Sequence, residues 1–175
     1  MTGPSDWIEE AIDKSHDRAS FDCGEPALND YLKRYARQNH AADLSKTFVA
    51  VGRGDRRILG YYTLCPTAVA QDLAPLDLRR GAGRHDLPGY LLARLAIERT
   101  EQSKGLGGAL FIAAVRRCIL AARDMGGTIM VIDAKNERAA AWYAGYGALP
   151  SADQPLTLIL PLAAFADELL QSGKI

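Results

Sequence analysis

The spacing of apolar residues in the first part of the chain predicts one helix followed by a pair of strands. Residues 26–41 carry apolar side chains at helical spacing, and Pro26 suits the start of a helix. Residues 47–51 and 58–64 are runs of strand-forming residues joined by a turn that contains glycine. We expect Pro66 to end the second of these strands, because proline cannot donate a ladder hydrogen bond.

The second part of the chain alternates between apolar strands and helices. Residues 90–98 read as a strand, residues 102–108 as a glycine-rich loop, and residues 109–125 as a long helix. The remaining strands and helices are predicted, in alternating order, over residues 128–133, 136–144, 156–160 and 161–170. Asn136 is a plausible N-cap for the shorter of the two helices.

Two segments have no clear periodicity. Residues 7–13 fit a short strand or a helical turn, and residues 67–89 are irregular, with one short helix near residues 73–80. The chain shows neither a linker nor a repeat, so residues 1–175 are expected to form a single domain of the mixed α/β class.

Composition excludes several classes of protein. The longest apolar run falls short of the roughly 20 residues that span a bilayer, and the N-terminus lacks a secretory signal pattern, so we expect a cytoplasmic protein. The three cysteines, Cys23, Cys65 and Cys118, are scattered, which favours reduced thiols over disulfides or zinc ligands. His16, His40 and His85 are isolated and are expected at the surface; no metal site is predicted.

The net charge is zero, but its distribution is uneven. Residues 29–57 carry seven bases against three acids, and a second basic stretch begins at Arg79. These bases form either an ordinary solvated surface or a local face that meets phosphates.

The glycine-rich loop, Gln102-Ser103-Lys104-Gly105-Leu106-Gly107-Gly108, lies between a strand and a long helix. The first turn of a helix offers free N–H groups and a positive dipole end, and glycines let an anion approach them closely. The loop lacks the glycine spacing of a P-loop or of a dinucleotide-binding fingerprint. It therefore predicts a pyrophosphate cradle, with a glycine turn that binds no ligand as the alternative.

The pattern of Gln102, Gly105 and Gly107 resembles the acetyl-CoA signature of the GNAT acetyltransferases. That resemblance implies a mixed, mostly antiparallel sheet of six to seven strands with about four helices, splayed at strands 4 and 5. It implies acetyl-CoA as cosubstrate and no metal. The residues it implies for cofactor binding are Leu95 and Ile97 through their main chain, the loop residues Gln102, Ser103, Lys104, Gly105, Leu106, Gly107 and Gly108, and Asn136.

A second segment, Asn136-Glu137-Arg138-Ala139-Ala140-Ala141-Trp142-Tyr143, matches an N-x-x-A-x-x-x-Y pattern of the same family. The resemblance implies that Tyr143 is the catalytic proton donor, whereas Trp142 is expected to pack. The group expected to stabilise the oxyanion of the tetrahedral intermediate is a backbone N–H near Ile97. Glu98 is either a general base acting through water or a solvated or paired acid. Tyr146 stands where the family usually has Phe, a mild departure.

The segment of residues 21–32, Phe-Asp-Cys-Gly-Glu-Pro-Ala-Leu-Asn-Asp-Tyr-Leu, resembles the opening of GNAT toxins from toxin–antitoxin pairs. Such toxins acetylate the α-amino group of aminoacyl-tRNA. The resemblance implies an aminoacyl-tRNA substrate, a ribbon-helix-helix antitoxin and a homodimer. Possible tRNA-binding residues are Lys33, Arg34, Arg37, Arg79, Arg80 and Arg84.

Two other functions remain open from the sequence. One is a small-molecule N-acetyltransferase that acts on polyamines, drugs or metabolites. The other is a catalytically silent module that binds acyl-CoA or a partner, although the intact glycine loop and Tyr143 argue against it.

Overall fold

The computed structural model of the protein describes residues 6–79, 85–173 and 175. Its strands are β1 (Trp7–Ala11), β2 (Lys46–Gly52), β3 (Ile58–Val69), β4 (Leu87–Ile97), β5 (Ile129–Asp133), β6 (Leu149–Pro150) and β7 (Thr157–Pro161). Its α-helices are α1 (Pro26–Arg34), α2 (Ala36–Ala41), α3 (Leu106–Met125), α4 (Glu137–Ala144) and α5 (Leu162–Gln171). Three short 3₁₀ helices cover Gln71–Leu73, Leu76–Leu78 and Arg99–Glu101.

The strands of the described residues form one seven-stranded sheet in the order β1-β2-β3-β4-β5-β7-β6. β4 and β5 pair in parallel, whereas β1 with β2, β2 with β3, β5 with β7, and β6 with β7 pair antiparallel. The registered pairs of β4 with β5 run from Gly89 to Leu92, whereas β4 continues to Ile97 and β5 ends at Asp133. The mixed α/β class with a mostly antiparallel sheet is thus confirmed.

The chain divides into two compact units. Unit 1 comprises Met1–Cys65 and Ala93–Ala114, and unit 2 comprises Pro66–Leu92 and Val115–Ile175. Each unit buries its own apolar cluster. The cluster of unit 1 includes Ile12, Phe21, Tyr31, Leu32, Val49, Val51, Ile58, Tyr61 and Ala96, and that of unit 2 includes Ala74, Leu87, Ile129, Val131 and Ile159.

In unit 1 helices pack against both faces of β3. Consecutive strand residues point to opposite faces, and the Tyr61 hydroxyl donates to the Leu28 carbonyl of α1 at 2.7 Å. Gly60 faces α3 instead, where an added Cβ would lie 2.9 Å from Ile97 Cδ1 and 2.9 Å from Leu110 Cδ1. Gly60 thus lets the first turns of α3 pack closely against this part of the sheet.

The structure corrects the predicted helix over residues 26–41. It forms two helices, α1 and α2, because Tyr35 has φ −118° and ψ −34° and so leaves the helical path between them. The long helix begins at Leu106, three residues before the prediction, so Gly107 and Gly108 belong to its first turn. Glycine costs a helix only about 0.5–1 kcal/mol relative to alanine, which the apolar length of α3 offsets.

Other boundaries also differ. Residues 7–11 form a strand, which settles the ambiguity over residues 7–13, and the expected helix near residues 73–80 is replaced by two 3₁₀ helices. β3 passes through Pro66 to Val69, so the expected end at Pro66 is wrong. The register of β3 with β2 ends at Leu64, and beyond that point the missing N–H of Pro66 removes no ladder bond to β2.

Candidate active site

The turn between β4 and α3 has a backbone shape that suits an anion. Ser103 has φ 64° and Gly105 has φ 90°, whereas Lys104 between them has a negative φ. Backbones of alternating hand turn successive N–H groups toward one point and make a concave anion site. All three residues are exposed. An added Cβ at Gly105 would meet no atom of the described residues within 4 Å, so the positive φ, not crowding, requires glycine there.

The first turn of α3 continues the same surface. Ala109 donates its amide to the Gly105 carbonyl at 3.1 Å, and this marks the start of helical hydrogen bonding. The amides of Leu106, Gly107 and Gly108 precede that bond and lie at the positive end of the helix dipole. An added Cβ at Gly107 would lie 3.7 Å from Ile97 Cγ1, an ordinary contact. The turn and helix start can therefore hold a diphosphate by backbone groups alone.

The side chain of Gln102 is engaged with the protein. Its Nε2 donates to the Ile97 carbonyl and to the Cys23 carbonyl, at 2.9 Å each. Gln102 thereby ties the end of β4 to the loop that precedes α1, within unit 1. These two hydrogen bonds give Gln102 a structural role beside any contact with cofactor.

Glu98 and Lys104 also have partners close by. The Glu98 carboxylate accepts from the Thr100 amide at 2.8 Å and from the Thr100 hydroxyl, so it caps the 3₁₀ helix Arg99–Glu101. Of the alternatives for Glu98, the structure favours the paired acid. Lys104 Nζ lies 3.7 Å from Glu101 Oε2 and remains half exposed, so its charge is still accessible.

Tyr143 lies in α4, within unit 2. Asn136 caps this helix as predicted, since its Oδ1 accepts from the Ala139 amide at 2.8 Å. Tyr143 is 8% exposed, and burial raises the pKa of its phenol to about 12. The ring centroids of Trp142 and Tyr143 lie 5.0 Å apart. Trp142 nevertheless keeps 40% of its surface exposed, so the expected packing role is only partial. A phenol held in this way keeps its proton throughout the neutral range.

The three residues of unit 1 that were predicted to bind tRNA lie near the junction of α1 and α2. Lys33 and Arg34 end α1, and Arg34 pairs with Asp30 at 2.9 Å. Arg37 is half-buried in α2, and its buried Nε finds no hydrogen-bond partner among the residues that the structure describes. The sequence had placed these three on a single helix. Arg18, which was not predicted, donates to the Lys33 carbonyl at 3.2 Å; no sequence signal joins it to the cluster.

Arg79, the first residue of the second basic stretch, lies in unit 2. Arg79 donates from Nε to the Ala74 carbonyl at 2.8 Å and from Nη2 to the Asp72 carbonyl at 3.0 Å. Its guanidinium thus holds the two 3₁₀ helices. Arg80 and Arg84 lie outside the described residues.

The histidines and cysteines take structural places. His16 is 4% exposed and its Nε2 bonds Glu10 at 2.8 Å, so the expected surface location is wrong. Asp13 donates its amide to His16 Nδ1, which explains the burial. The three cysteines are free, as predicted.

The residues that the structure describes contain no cluster of His, Cys, Asp or Glu suited to a metal. No described helix is long and apolar enough to cross a membrane.

Comparison with known proteins agrees with this geometry, although no family model matches the sequence. The chain is 38% identical over 149 residues to a tRNA-acetylating toxin of Mycobacterium tuberculosis, across 85% of this chain and 88% of that relative. The structure of AtaT complexed with acetyl-methionyl-tRNAfMet has a TM-score of 0.87 and 28% identity, covering 94% of this chain and 99% of that one. A Tyr-to-Phe mutant of AtaT, bound to acetyl-CoA and to the C-terminus of the antitoxin AtaR, has a TM-score of 0.78 and 28% identity, covering 94% and 98%.

The order of the sheet, the parallel pairing of β4 with β5 and the glycine turn from β4 into α3 define a GNAT acetyltransferase. Within that class, the similarity over most of both sequences is decisive. The chain belongs to the family of tRNA-acetylating toxins.

Proposed function

We propose that the protein transfers the acetyl group of acetyl-CoA to the α-amino group of an aminoacyl-tRNA and thereby blocks translation. The observation that carries the proposal is the turn at Ser103 and Gly105, whose alternating backbone leads directly into α3. It supports the binding of a diphosphate without any special side chain. The family supplies the substrate class, since the relative of 38% identity is a tRNA-acetylating toxin.

In this proposal the backbone of β4 receives the acetyl-pantetheine arm. Leu95 and Ile97, both half-buried, contribute main-chain contacts, and a backbone N–H near Ile97 stabilises the oxyanion. The amides of residues 103–108 hold the pyrophosphate, with Lys104 adding a charge from its half-exposed side chain. Asn136 is proposed as a further cofactor contact.

Tyr143 is proposed as the proton donor. The amine nitrogen attacks the thioester carbonyl, the C–S bond breaks as the amide C–N bond forms, and the thiolate takes the phenolic proton. The nitrogen releases its own proton to solvent, from which the phenolate is restored. The pKa of Tyr143, raised to about 12 by burial, leaves the phenol protonated at the start of each cycle. An apolar environment also raises the basicity of a thiolate, so the two groups remain matched.

The acceptor must arrive as a neutral amine. An α-amino group has a pKa near 8, so an appreciable fraction is neutral at physiological pH without a base. The engagement of Glu98 with Thr100 supports this reading, because the carboxylate is occupied as a cap. A lysine-type amine, with a pKa of about 10.4, would need a base far more. The site therefore favours an α-amine acceptor.

We propose further that the protein is cytoplasmic, forms a homodimer and is neutralised by a ribbon-helix-helix antitoxin. The structure of AtaT with the C-terminus of the antitoxin AtaR supports an antitoxin partner. Lys33, Arg34 and Arg37 are proposed to contact tRNA phosphates, because they cluster around one helix junction. Arg79 is a weaker candidate, since its guanidinium already binds two carbonyls. Arg80 and Arg84 remain proposals from sequence.

The test incubates the purified protein with labelled acetyl-CoA and a mixture of charged tRNAs, beside polyamines and aminoglycosides. We expect label on the amino acid of aminoacyl-tRNA and none on uncharged tRNA. Label on the small amines alone would overturn the acceptor assignment and leave a small-molecule acetyltransferase. Binding of acetyl-CoA without transfer to any amine would leave a silent acyl-CoA-binding module.

A further inference from the structure

One arginine of β4 lies against an aromatic ring in unit 1. Arg94 Cζ lies 3.6 Å from the centroid of the Tyr31 ring, a cation–π contact within unit 1. Arg94 is half-buried, and no ion pair joins it to any of the residues that the structure describes. The guanidinium carbon lies over the Tyr31 ring, and none of the described carboxylates forms an ion pair with its N–H groups.

The Tyr31 ring is fixed in place. It is 6% exposed, and its hydroxyl lies 3.1 Å from Ser45 Oγ and accepts from Asn39 Nδ2 at 3.4 Å. A ring anchored at its far end presents a rigid face, so it also orients the guanidinium of Arg94. Rigid, pre-oriented groups lose little entropy when a ligand binds.

Tyr35 extends this arrangement to the surface. Its ring packs on Tyr31 with centroids 6.3 Å apart and an interplanar angle of 28°, yet 50% of the residue is exposed. It is flanked in sequence by Lys33, Arg34 and Arg37. Of these three, Arg34 alone forms an ion pair within the part of the chain that the structure describes. An exposed aromatic ring among basic side chains is the arrangement that binds single-stranded nucleic acid. Nucleobases stack on the ring, while the cationic side chains hold the phosphates.

We propose that Tyr35, Tyr31 and Arg94 form a stacking platform for an unpaired base at the 3′ end of the RNA acceptor. This inference rests on the proposed function and assigns the place where the acceptor's single-stranded end binds. Arg94 immediately precedes Leu95, whose main chain is proposed to hold the acetyl-pantetheine arm, so a base held here lies close to the amine that the thioester acetylates. Tyr35 provides the stacking surface, Tyr31 orients the Tyr35 ring from below, and Arg94 donates hydrogen bonds at the edge of the stacked base.

The kinetic test compares Tyr35→Leu with Tyr35→Phe. Leucine keeps an apolar side chain but removes the π face, whereas phenylalanine keeps the ring. We expect Tyr35→Leu to raise the KM for aminoacyl-tRNA by about 5- to 150-fold, the range for loss of one stacked base. In Tyr35→Leu the KM for acetyl-CoA stays at the wild-type value. In Tyr35→Phe the KM for aminoacyl-tRNA is that of the wild type. Leu44→Ala, at another exposed apolar position of unit 1 (68% exposed), is the matched control and changes neither.

A spectroscopic test does not depend on acetyl transfer. The probe is a short single-stranded RNA ending in CCA, with 2-aminopurine in place of the terminal adenine. Its fluorescence is quenched when the base stacks, so wild type and Tyr35→Phe quench it and Tyr35→Leu does not. Arg94→Lys keeps the charge but loses the planar guanidinium, and we expect weaker quenching in this variant.

The outcomes separate this inference from the proposed function. Quenching without acetylation of aminoacyl-tRNA would keep the platform and overturn the function. Acetylation with an unchanged KM in Tyr35→Leu, and no quenching by wild type, would overturn the platform alone. A Tyr35→Leu variant that binds RNA normally but loses a protein partner would also overturn it, because the surface would then serve protein recognition.

Discussion

The turn before α3 and the helix α4 carry the two parts of the proposed chemistry, and they are built in opposite ways. The turn is exposed and acts through backbone amides whose direction depends on positive φ at Ser103 and Gly105. α4 contributes one buried hydroxyl, that of Tyr143. The turn should therefore tolerate new side chains but not a change of backbone conformation. In α4, by contrast, loss of the Tyr143 hydroxyl alone should abolish its contribution.

The largest effect is expected from Tyr143→Phe. The ring and its packing on Trp142 remain, so the variant folds and binds acetyl-CoA with wild-type affinity. Loss of the proton donor lowers kcat by about 10²- to 10⁴-fold, the range for general acid catalysis. Steady-state kinetics and calorimetric titration of acetyl-CoA check the two halves of the prediction. Unchanged turnover would remove Tyr143 from the mechanism.

The same phenol predicts a pH profile. Its pKa is raised from about 10 to about 12, so the folded protein keeps this proton where the unfolded chain releases it. The stability from this group is therefore fully present below pH 10 and is lost as the pH rises toward 12. We expect kcat/KM to rise through the pKa of the acceptor amine and to show no fall before about pH 10. A descending limb near pH 8 would contradict the assignment.

The next effect in size concerns the turn. Gly105→Ala forces a Cβ into φ 90°, a strain of about 1–2 kcal/mol that the turn relieves by changing shape. We expect the affinity for acetyl-CoA to fall by about 10-fold, measured by calorimetry. Gly107→Ala is the matched control, because Gly107 is helical and its Cβ would make an ordinary contact with Ile97 at 3.7 Å. Equal losses in both variants would show that bulk, not backbone shape, matters at this turn.

The sequence predicts these two regions well because their signals are local. Glycines mark the turn, Asn136 marks the start of α4, and apolar runs mark the strands. Contacts between distant segments carry no such signal: Gln102 binds Cys23 across 79 positions, and Arg94 meets Tyr31 only because β4 and α1 pack together. His16 was expected at the surface for the same reason, since its burial depends on Glu10 and on the Asp13 amide.

A smaller effect is expected at the base of the turn. Gln102→Ala removes two hydrogen bonds to carbonyls at the end of β4 and before α1, and should lower the free energy of unfolding by about 1–2 kcal/mol. Gln102→Glu keeps the shape but sets carboxylate oxygens against carbonyl oxygens, so it should destabilise more than alanine. Urea unfolding monitored by circular dichroism compares the two. Equal stability of all three proteins would mean that the turn is held by other contacts.

The smallest effect tests whether Asn136 both caps α4 and contacts the cofactor. Asn136 caps α4 through Oδ1, so Asn136→Ala should lower the free energy of unfolding by about 1 kcal/mol. Asn136→Asp keeps the capping oxygen and adds a charge that the helix dipole favours, so stability is retained. If Asn136 also contacts the cofactor through its amide, the aspartate variant binds acetyl-CoA more weakly despite that stability. Unchanged affinity in Asn136→Asp would confine this residue to its cap and leave Tyr143 as the sole chemical contribution proposed for α4.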